Sequence, residues 1–410
     1  MKILFVHQNY PAQFLHLAPA LQKRGHQVLA LTDAANLRNI SVPNVKYTHK
    51  AQPVDANQTR LGRNFTLMSD RGVTVARGAL TLRDDKAYRP DVIFAHSGWG
   101  ESLFLKEVWP DAKLIVYAEF YYRGVGMDVG FDTEFSKSTF DQVMISQGRA
   151  AYLTQSIVHA DAALSPTQFQ ADSHPALLRQ NITVIHDGVD TNLLKPNPAA
   201  KFTLPTGQVV AVGDEVLTFV NRYLEPYRGY HIMMRALPEI LRARPNAQVV
   251  LVGGDEVSYG QPAPTGKKWK DIFLDEVKDQ LDLSRVHFVG KIPYPDYVNL
   301  LHVSRAHAYL TYPFVLSWSS IEAMAAGCHI VASDTAPVRE AMTHGKTATL
   351  VDFFDIKGWS TALIDALAYP DKYTPLRQAA REHAIKTYDL QGNCLPRMID
   401  FVESFAPQRV

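Results

Sequence analysis

Two consecutive α/β domains, each built on a mostly parallel sheet and facing each other across a cleft, are predicted by three observations. Short apolar runs alternate with helix-period segments along the chain, the pattern of βαβ units. The alternation restarts after an aperiodic stretch carrying Pro196, Pro198, Pro205 and Gly207, which reads as a linker. The length, 410 residues, exceeds one ordinary domain and suits two. The expected division is 1–195 for the first domain, rejoined by a C-terminal helix 388–410, and 207–387 for the second.

In the first half the apolar runs place strands at Lys2–His7, His26–Leu31, Asp91–His96, Lys113–Glu119, Ala162–Ser165 and Thr183–His186. An amphipathic helix spans about Gln13–Arg24 and is stopped by Gly25. In the second half strands fall at Val216–Arg222, Gln248–Gly253, Val286–Gly290, Ala306–Thr311, His329–Ala332 and Thr349–Val351. Helices alternate with them at Tyr230–Ala243, Trp269–Leu281, Tyr294–His302, Ser319–Ala326, Val338–Thr343 and Trp359–Ala368. The last segment, Tyr373–Phe405, has a helical pattern. Ligands of such sheets bind outside the carboxyl ends of the strands, so residues just after strands carry the functional weight.

Composition narrows the class. Lys and Arg number 42 against 41 Asp and Glu, and a net charge of +1 lends no support to nucleic-acid binding. Two cysteines, Cys328 and Cys394, are too few for a disulfide framework, which makes a reducing compartment the default. The apolar run Ile3–Val6 is too short for a signal peptide, and no stretch reaches membrane-helix length. The expectation is a cytoplasmic protein, with peripheral contact at the inner membrane face left open and the oligomeric state undetermined. There is no GxGxxG, HExxH, CxxC or Walker sequence. Asp84-Asp85 is an isolated acidic pair, and neither a metal nor a separate cofactor is expected.

Chemistry concentrates in the second half. A strand ends in Asn221-Arg222, and Arg228-Gly229 open the next helix six residues later. Two guanidiniums placed there can converge on one anion, assisted by the helix N-terminus, and the arginine fork suits phosphate oxygens. The simpler reading pairs Arg222 with Glu225 and leaves Arg228 on the surface. Further on, Pro313–Gly327 runs from a strand through a loop into a helix rich in small residues. Ser319 and Glu322 stand at capping-box spacing. Glu322 therefore either caps that helix or accepts hydrogen bonds from a ribose diol, as acidic residues do at other nucleotide sites.

Taken together and in order, these segments resemble the retaining glycosyltransferases of family 4, which have the two-lobed, Rossmann-like GT-B fold. Arg222 with Arg228-Gly229 is similar to the family's Arg and Lys-Gly pair, with arginine for lysine. Ile185-His186-Asp187-Gly188-Val189-Asp190 is similar to its "Asn-Gly-Val-Asp" signature, with Asp187 for Asn. Ile321–Gly327 resembles its "Glu-Ala-Met-Ala-Xaa-Gly" block, and His329–Asp334 and Val338-Arg339-Glu340 resemble the segments after that block. Gly25-His26-Gln27-Val28 resembles the entry to the second strand, and Val286–Gly290 the strand before the base-binding loop, placing the base near Lys291 and Ile292.

The resemblance implies a donor site of Glu322, Arg222, Arg228, Asn221, Gly229, Ile292 and Ser319, with backbone N–H groups of Val315, Leu316 and Ser317 reaching sugar or phosphate. Glu322 matches the second of two glutamates that the family spaces eight apart, and contacts ribose there. The first falls at Phe314, so that carboxylate is missing. In the first half, His7-Gln8-Asn9-Tyr10-Pro11 replaces the usual glycine-rich turn. His96 matches a strand-end histidine, and Glu119 stands where many members carry another. These two are the candidate catalytic groups on the acceptor side. Tyr117, Phe120, Tyr121, Tyr122 and Trp99 are candidates for stacking on sugar.

The activity implied is transfer of a hexose, with retention, from a UDP- or GDP-sugar to a glycan or lipid-linked acceptor, as in polysaccharide or glycoconjugate synthesis. The loops Arg123–Thr139 and Tyr259–Lys270 would shape specificity. An epimerase or phosphorylase of the same fold, or a non-catalytic scaffold, are the rival readings. No context for a pyridoxal-binding lysine is recognisable, and retention of both arginines and Glu322 argues against a scaffold.

Overall fold

The computed structural model describes residues 1–53 and 59–407. The chain forms two compact units: Met1–Gly188 together with the segment returning from Gln391, and Val189–Leu390. The last three residues of the expected helix 388–410 lie outside the described residues.

In the first unit seven parallel strands, β1 (Lys2–Val6), β2 (Gln27–Asp33), β3 (Asn44–Tyr47), β4 (Val92–His96), β5 (Lys113–Tyr117), β6 (Ala162–Ser165) and β7 (Ile182–Val184), stand in the order β3-β2-β1-β4-β5-β6-β7. Their apolar runs are continuous because the sheet is covered on both faces. Ile3 to Val6 and Leu114 to Val116 are wholly buried. The order reverses between β1 and β4, and the crossovers that diverge there leave a crevice at the carboxyl ends.

Several first-unit elements differ from the expectation. The helix placed at Gln13–Arg24 divides into a tight turn, Ala12–Phe14, and a shorter helix, Leu17–Lys23, before Gly25. β3 was not anticipated; it is an edge strand in which only Tyr47 is fully buried. Two long helices were also missed. Arg60–Asp85 buries only Gly72, Val75, Ala79 and Leu82, too sparse a stripe to advertise itself, while Phe140–Val158 starts on a Thr139 cap.

In the second unit the residues read as a linker fold back on the sheet. β8 (Lys201–Thr203) and β9 (Val209–Ala211) pair antiparallel, and Phe202, Leu204 and Val210 join the core. Six parallel strands come next: β10 (Val216–Tyr223), β11 (Gln248–Gly254), β12 (Val286–Gly290), β13 (Ala306–Tyr309), β14 (Ile330–Ser333) and β15 (Thr349–Val351). They stand in the order β12-β11-β10-β13-β14-β15, so this sheet repeats the reversal, now between β10 and β13.

The C-terminal segment is divided. Helix Thr374–Tyr388 belongs to the second unit, where Arg377 donates to Gly327 O and Arg381 to the carbonyls of Ala325 and Thr191. These cations satisfy the carbonyl end of helix Trp318–Ala325. Helix Leu395–Glu403 packs on the first unit, where Glu403 takes a bidentate pair from Arg24 and a bond from His26. Among the described residues no helix is long and apolar enough to cross a membrane.

Gly229 is required by its position. It sits at φ +70° at the head of helix Tyr230–Ala243, and a Cβ there would overlap the Leu310 side chain. Gly229→Ala combines left-handed strain with overpacking and should destabilise the second unit by about 2–5 kcal/mol. A lowered unfolding midpoint for that unit in denaturant titration checks this.

Candidate active site

In the second unit the site grows from the ends of β10 and β13. One extra residue on β10 makes a bulge against β11 between Val220 and Tyr223. Asn221 and Arg222 occupy that bulge, a device that re-aims side chains at a strand end. Arg222 is exposed and makes no ion pair among the described residues. The simpler reading that paired it with Glu225 is not what forms. Glu225 is fully buried and accepts from Ser258 N (3.2 Å), Ser258 Oγ (2.7 Å) and Gly260 N (3.1 Å). It ties the loop at Tyr259 to the end of β10 and leaves Arg222 available.

Arg228 is not a surface residue. It ends the turn Pro226–Arg228, is 8% exposed, and donates from Nη1 to Thr311 Oγ1 (2.6 Å) and Val315 O (3.1 Å). Among the described residues it has no carboxylate partner. Phe314, where the family's first glutamate would fall, is buried in an aromatic group. Its ring centroid lies 5.2 Å from that of Tyr227 and 4.7 Å from that of Tyr259. The guanidinium carbon lies 5.9 Å from the Phe314 ring and 5.8 Å from that of Tyr259. The Arg228 charge is thus held in place by neutral groups and remains uncompensated.

The loop from β13 then enters helix Trp318–Ala325. Ser317 caps it, accepting from Ser319 N (3.3 Å), and the Ser319 hydroxyl bonds that of Ser317 (2.8 Å). The Ser317 N–H donates to the Tyr309 hydroxyl (2.9 Å), which removes it from the set expected to reach a ligand. The N–H groups of Val315 and Leu316 make no hydrogen bond among the described residues. Glu322 does not close a capping box with Ser319. Its Oε1 accepts from Tyr294 and its Oε2 from Tyr297, each at 2.8 Å. Burial raises its pKa, and the two tyrosine bonds pull the other way. Ile292, half-buried just after β12, packs against the same core. The structure therefore gathers Arg228, Val315, Ser317 and Ser319 at one strand end, and links Glu322 to the residues just past Ile292.

The first unit carries a repeated device that was not expected from the sequence. At three strand ends a buried histidine accepts, through Nδ1, the N–H two residues on: His7 from Asn9 (2.9 Å), His96 from Gly98 (2.9 Å) and His186 from Gly188 (3.0 Å). The signal was legible as His-Xaa-Asn or His-Xaa-Gly closing an apolar run. Each ring then carries its proton on Nε2. Burial lowers all three pKa values, to about 3 for His96 and about 4 for His186. His7 and His96 meet at the β1/β4 reversal with centroids 5.2 Å apart.

His96 Nε2 finds no hydrogen-bond partner among the described residues and lies 3.6 Å from Glu119 Oε2. That is too long for a hydrogen bond, and the neutral ring makes it no ion pair. Glu119 is half-buried after β5, and Gln13 donates to its Oε1 (3.3 Å). Among the aromatic candidates only Trp99 is exposed. Tyr117 is buried and donates to both oxygens of Asp187 (2.9 and 3.0 Å), Tyr121 bonds Thr154, and Tyr122 lies under the Arg149 guanidinium. Phe120 is buried as well. These four serve packing and positioning, and Trp99 is left as the exposed member of the set.

Two family models divide the chain: the Glycosyl transferase family 4 group matches residues 24–194, and Glycosyl transferases group 1 matches 205–383. The glycogen synthase of Mycobacterium tuberculosis is 24% identical over 415 aligned positions, covering 95% of this chain and 92% of that one. Anabaena Alr3699/HepE, solved with UDP-glucose, superposes with a TM-score of 0.65 at 17% identity, over 98% of this chain and 100% of that one. Sucrose-phosphate synthase from Thermosynechococcus elongatus gives 0.69 at 16%, over 99% of each. Two parallel-sheet units with these likenesses define a glycosyltransferase enzyme of the GT-B fold. The chain belongs to the group 1 glycosyltransferases.

An unfolded imidazole takes a proton below about pH 6.5, whereas folded His96 takes one only near 3. Its contribution to the first unit is therefore complete above pH 6.5 and is lost as pH falls toward 3. Imidazole ¹⁵N spectra at pH 5 should show His96 still neutral and protonated on Nε2. An imidazolium signal at that pH contradicts the assignment.

Proposed function

We propose that the chain transfers a hexose from a nucleoside diphosphate-sugar, with retention, to a hydroxyl of a glycan or lipid-linked acceptor. The second unit would hold the donor and the first would supply the groups that handle the acceptor. The observation that carries the reading is Arg228, a buried cation fixed by Thr311 and Val315 with no carboxylate to neutralise it. Together with the exposed Arg222, six residues earlier at the end of β10, it would make a site for a diphosphate. UDP-glucose is the first donor to test, because Alr3699/HepE was solved with it. A polysaccharide acceptor is consistent with the glycogen synthase relative. The proposed setting is the cytoplasm, at the membrane face if the acceptor is lipid-linked.

In this reaction the bond from the anomeric carbon to the diphosphate breaks and the acceptor oxygen bonds the same face. The acceptor proton passes to the departing phosphate oxygen. Negative charge grows on the diphosphate as the bond breaks, and Arg222, Arg228 and the N–H groups of Val315 and Leu316 stabilise it. Such preorganised electrostatics is usually the largest catalytic contribution. Glu322 would accept from the ribose hydroxyls. Glu119, beside the buried Nε2–H of His96, would orient the acceptor hydroxyl. With arginines meeting the phosphate charge, neither a metal nor another cofactor is assigned a role.

Arg222→Ala and Arg228→Ala should each lower kcat roughly 100-fold or more, while Glu322→Ala should chiefly raise the donor KM. Nucleotide release from UDP-, GDP- and ADP-sugars, measured with and without a glycan acceptor, reads both quantities. Wild-type rates in the two arginine variants defeat the phosphate assignment. Sugar isomerisation without any acceptor points to an epimerase instead.

A further inference from the structure

Glu322 is engaged by two tyrosines of very different standing. Tyr294 and Tyr297 are one turn apart at the start of helix Tyr294–Val303, their ring centroids 5.7 Å apart. Each donates a single hydroxyl hydrogen to a different oxygen of the carboxylate, both at 2.8 Å. Tyr297 is 7% exposed and belongs to the core of the unit, so its hydroxyl cannot leave without opening a cavity. Tyr294 is 46% exposed and heads the helix after Pro293. Its ring can turn into solvent at little packing cost.

A carboxylate taken out of water needs a donor on each of its oxygens. A tyrosine hydroxyl and a ribose hydroxyl are the same kind of donor at the same length. An exposed tyrosine on one oxygen therefore does, in the empty site, what a ribose hydroxyl does in a filled one.

We propose that Tyr297 is a fixed positioning residue that orients Glu322 toward a ribose diol. In the same site Tyr294 is a displaceable one, occupying the seat of one ribose hydroxyl until a nucleotide arrives. This rests on the reading of Glu322 as the ribose-binding group. The two tyrosines then act on nucleotide affinity in opposite directions. Losing Tyr297 disorders the carboxylate and weakens binding, whereas losing the Tyr294 hydroxyl removes a competitor and strengthens it. Neither touches the bond being broken, so both effects fall on the donor KM and not on kcat.

The test titrates UDP, GDP and ADP onto the full chain by calorimetry and carries the tightest nucleotide through Tyr294→Phe, Tyr297→Phe and Glu322→Gln. Thermal melts confirm that each variant is folded, and kcat and donor KM are measured in parallel. Tyr294→Phe should bind about 5-fold tighter and Tyr297→Phe about 5-fold or more weaker, the range of one net hydrogen bond. Both should keep kcat within about 2-fold of wild type. If Tyr294→Phe weakens binding or leaves it unchanged while Glu322→Gln weakens it, the displacement proposal is overturned and the ribose reading stands. If Glu322→Gln binds as wild type does, or none of UDP, GDP and ADP binds the wild-type chain, the ribose reading itself fails.

Discussion

Two hydrogen bonds from one guanidinium, Arg228 to Thr311 and to Val315 O, join the segments leaving β10 and β13, and the rest of the second-unit site is arranged around them. Those strands are neighbours whose connections diverge, so the sheet itself puts nothing between their ends. Arg228 fills that space from one side only. Gly229 lets the turn approach Leu310, and Glu225 fixes the loop at Tyr259 over the same strand end. Arg377 and Arg381 hold the far end of helix Trp318–Ala325. A buried cation without a counterion is costly unless its donors are used. Here neutral oxygens use part of that capacity, and the charge persists.

The first unit uses the same topological opening for different chemistry. At its β1/β4 reversal stand neutral imidazoles, each locked by the N–H two residues on, with the Glu119 carboxylate close by. Burial keeps the rings uncharged, so the unit presents neutral donors and an acid oxygen, not a cation. On the proposed reading, one sheet would serve a phosphate-bearing ligand and the other hydroxyls. That contrast comes from the residues after the strands, since the two sheets share a strand order.

The buried strands were legible to within one or two residues at most ends, because parallel strands covered on both faces are written as continuous apolar runs. Elements without such runs escaped. β3 lies at the sheet edge with one fully buried residue, helix Arg60–Asp85 buries four of its 26, and the β8–β9 ribbon is punctuated by the prolines and glycine that suggested a linker. Of the site, Arg222, Arg228 and Glu322 could be named because they stand at fixed distances from strand ends. Their partners could not. The spacing of Ser319 and Glu322 favoured a cap, while the structure gives the carboxylate to two tyrosines 25 and 28 residues away along the chain.

By itself, then, the sequence determined which segments form the two parallel sheets and which residues stand at the strand ends. Local periodicity and spacing carry that information; that Phe314 stands where a glutamate is expected came from the family resemblance. Only the tertiary structure decided that Arg228 is buried and unneutralised, that Glu225 is spent on a loop, and that Glu322 is shared by an exposed and a buried tyrosine. Those outcomes depend on which distant segments the sheet order brings together, and hydrogen bonding and desolvation act on neighbours in space whatever their separation in the chain.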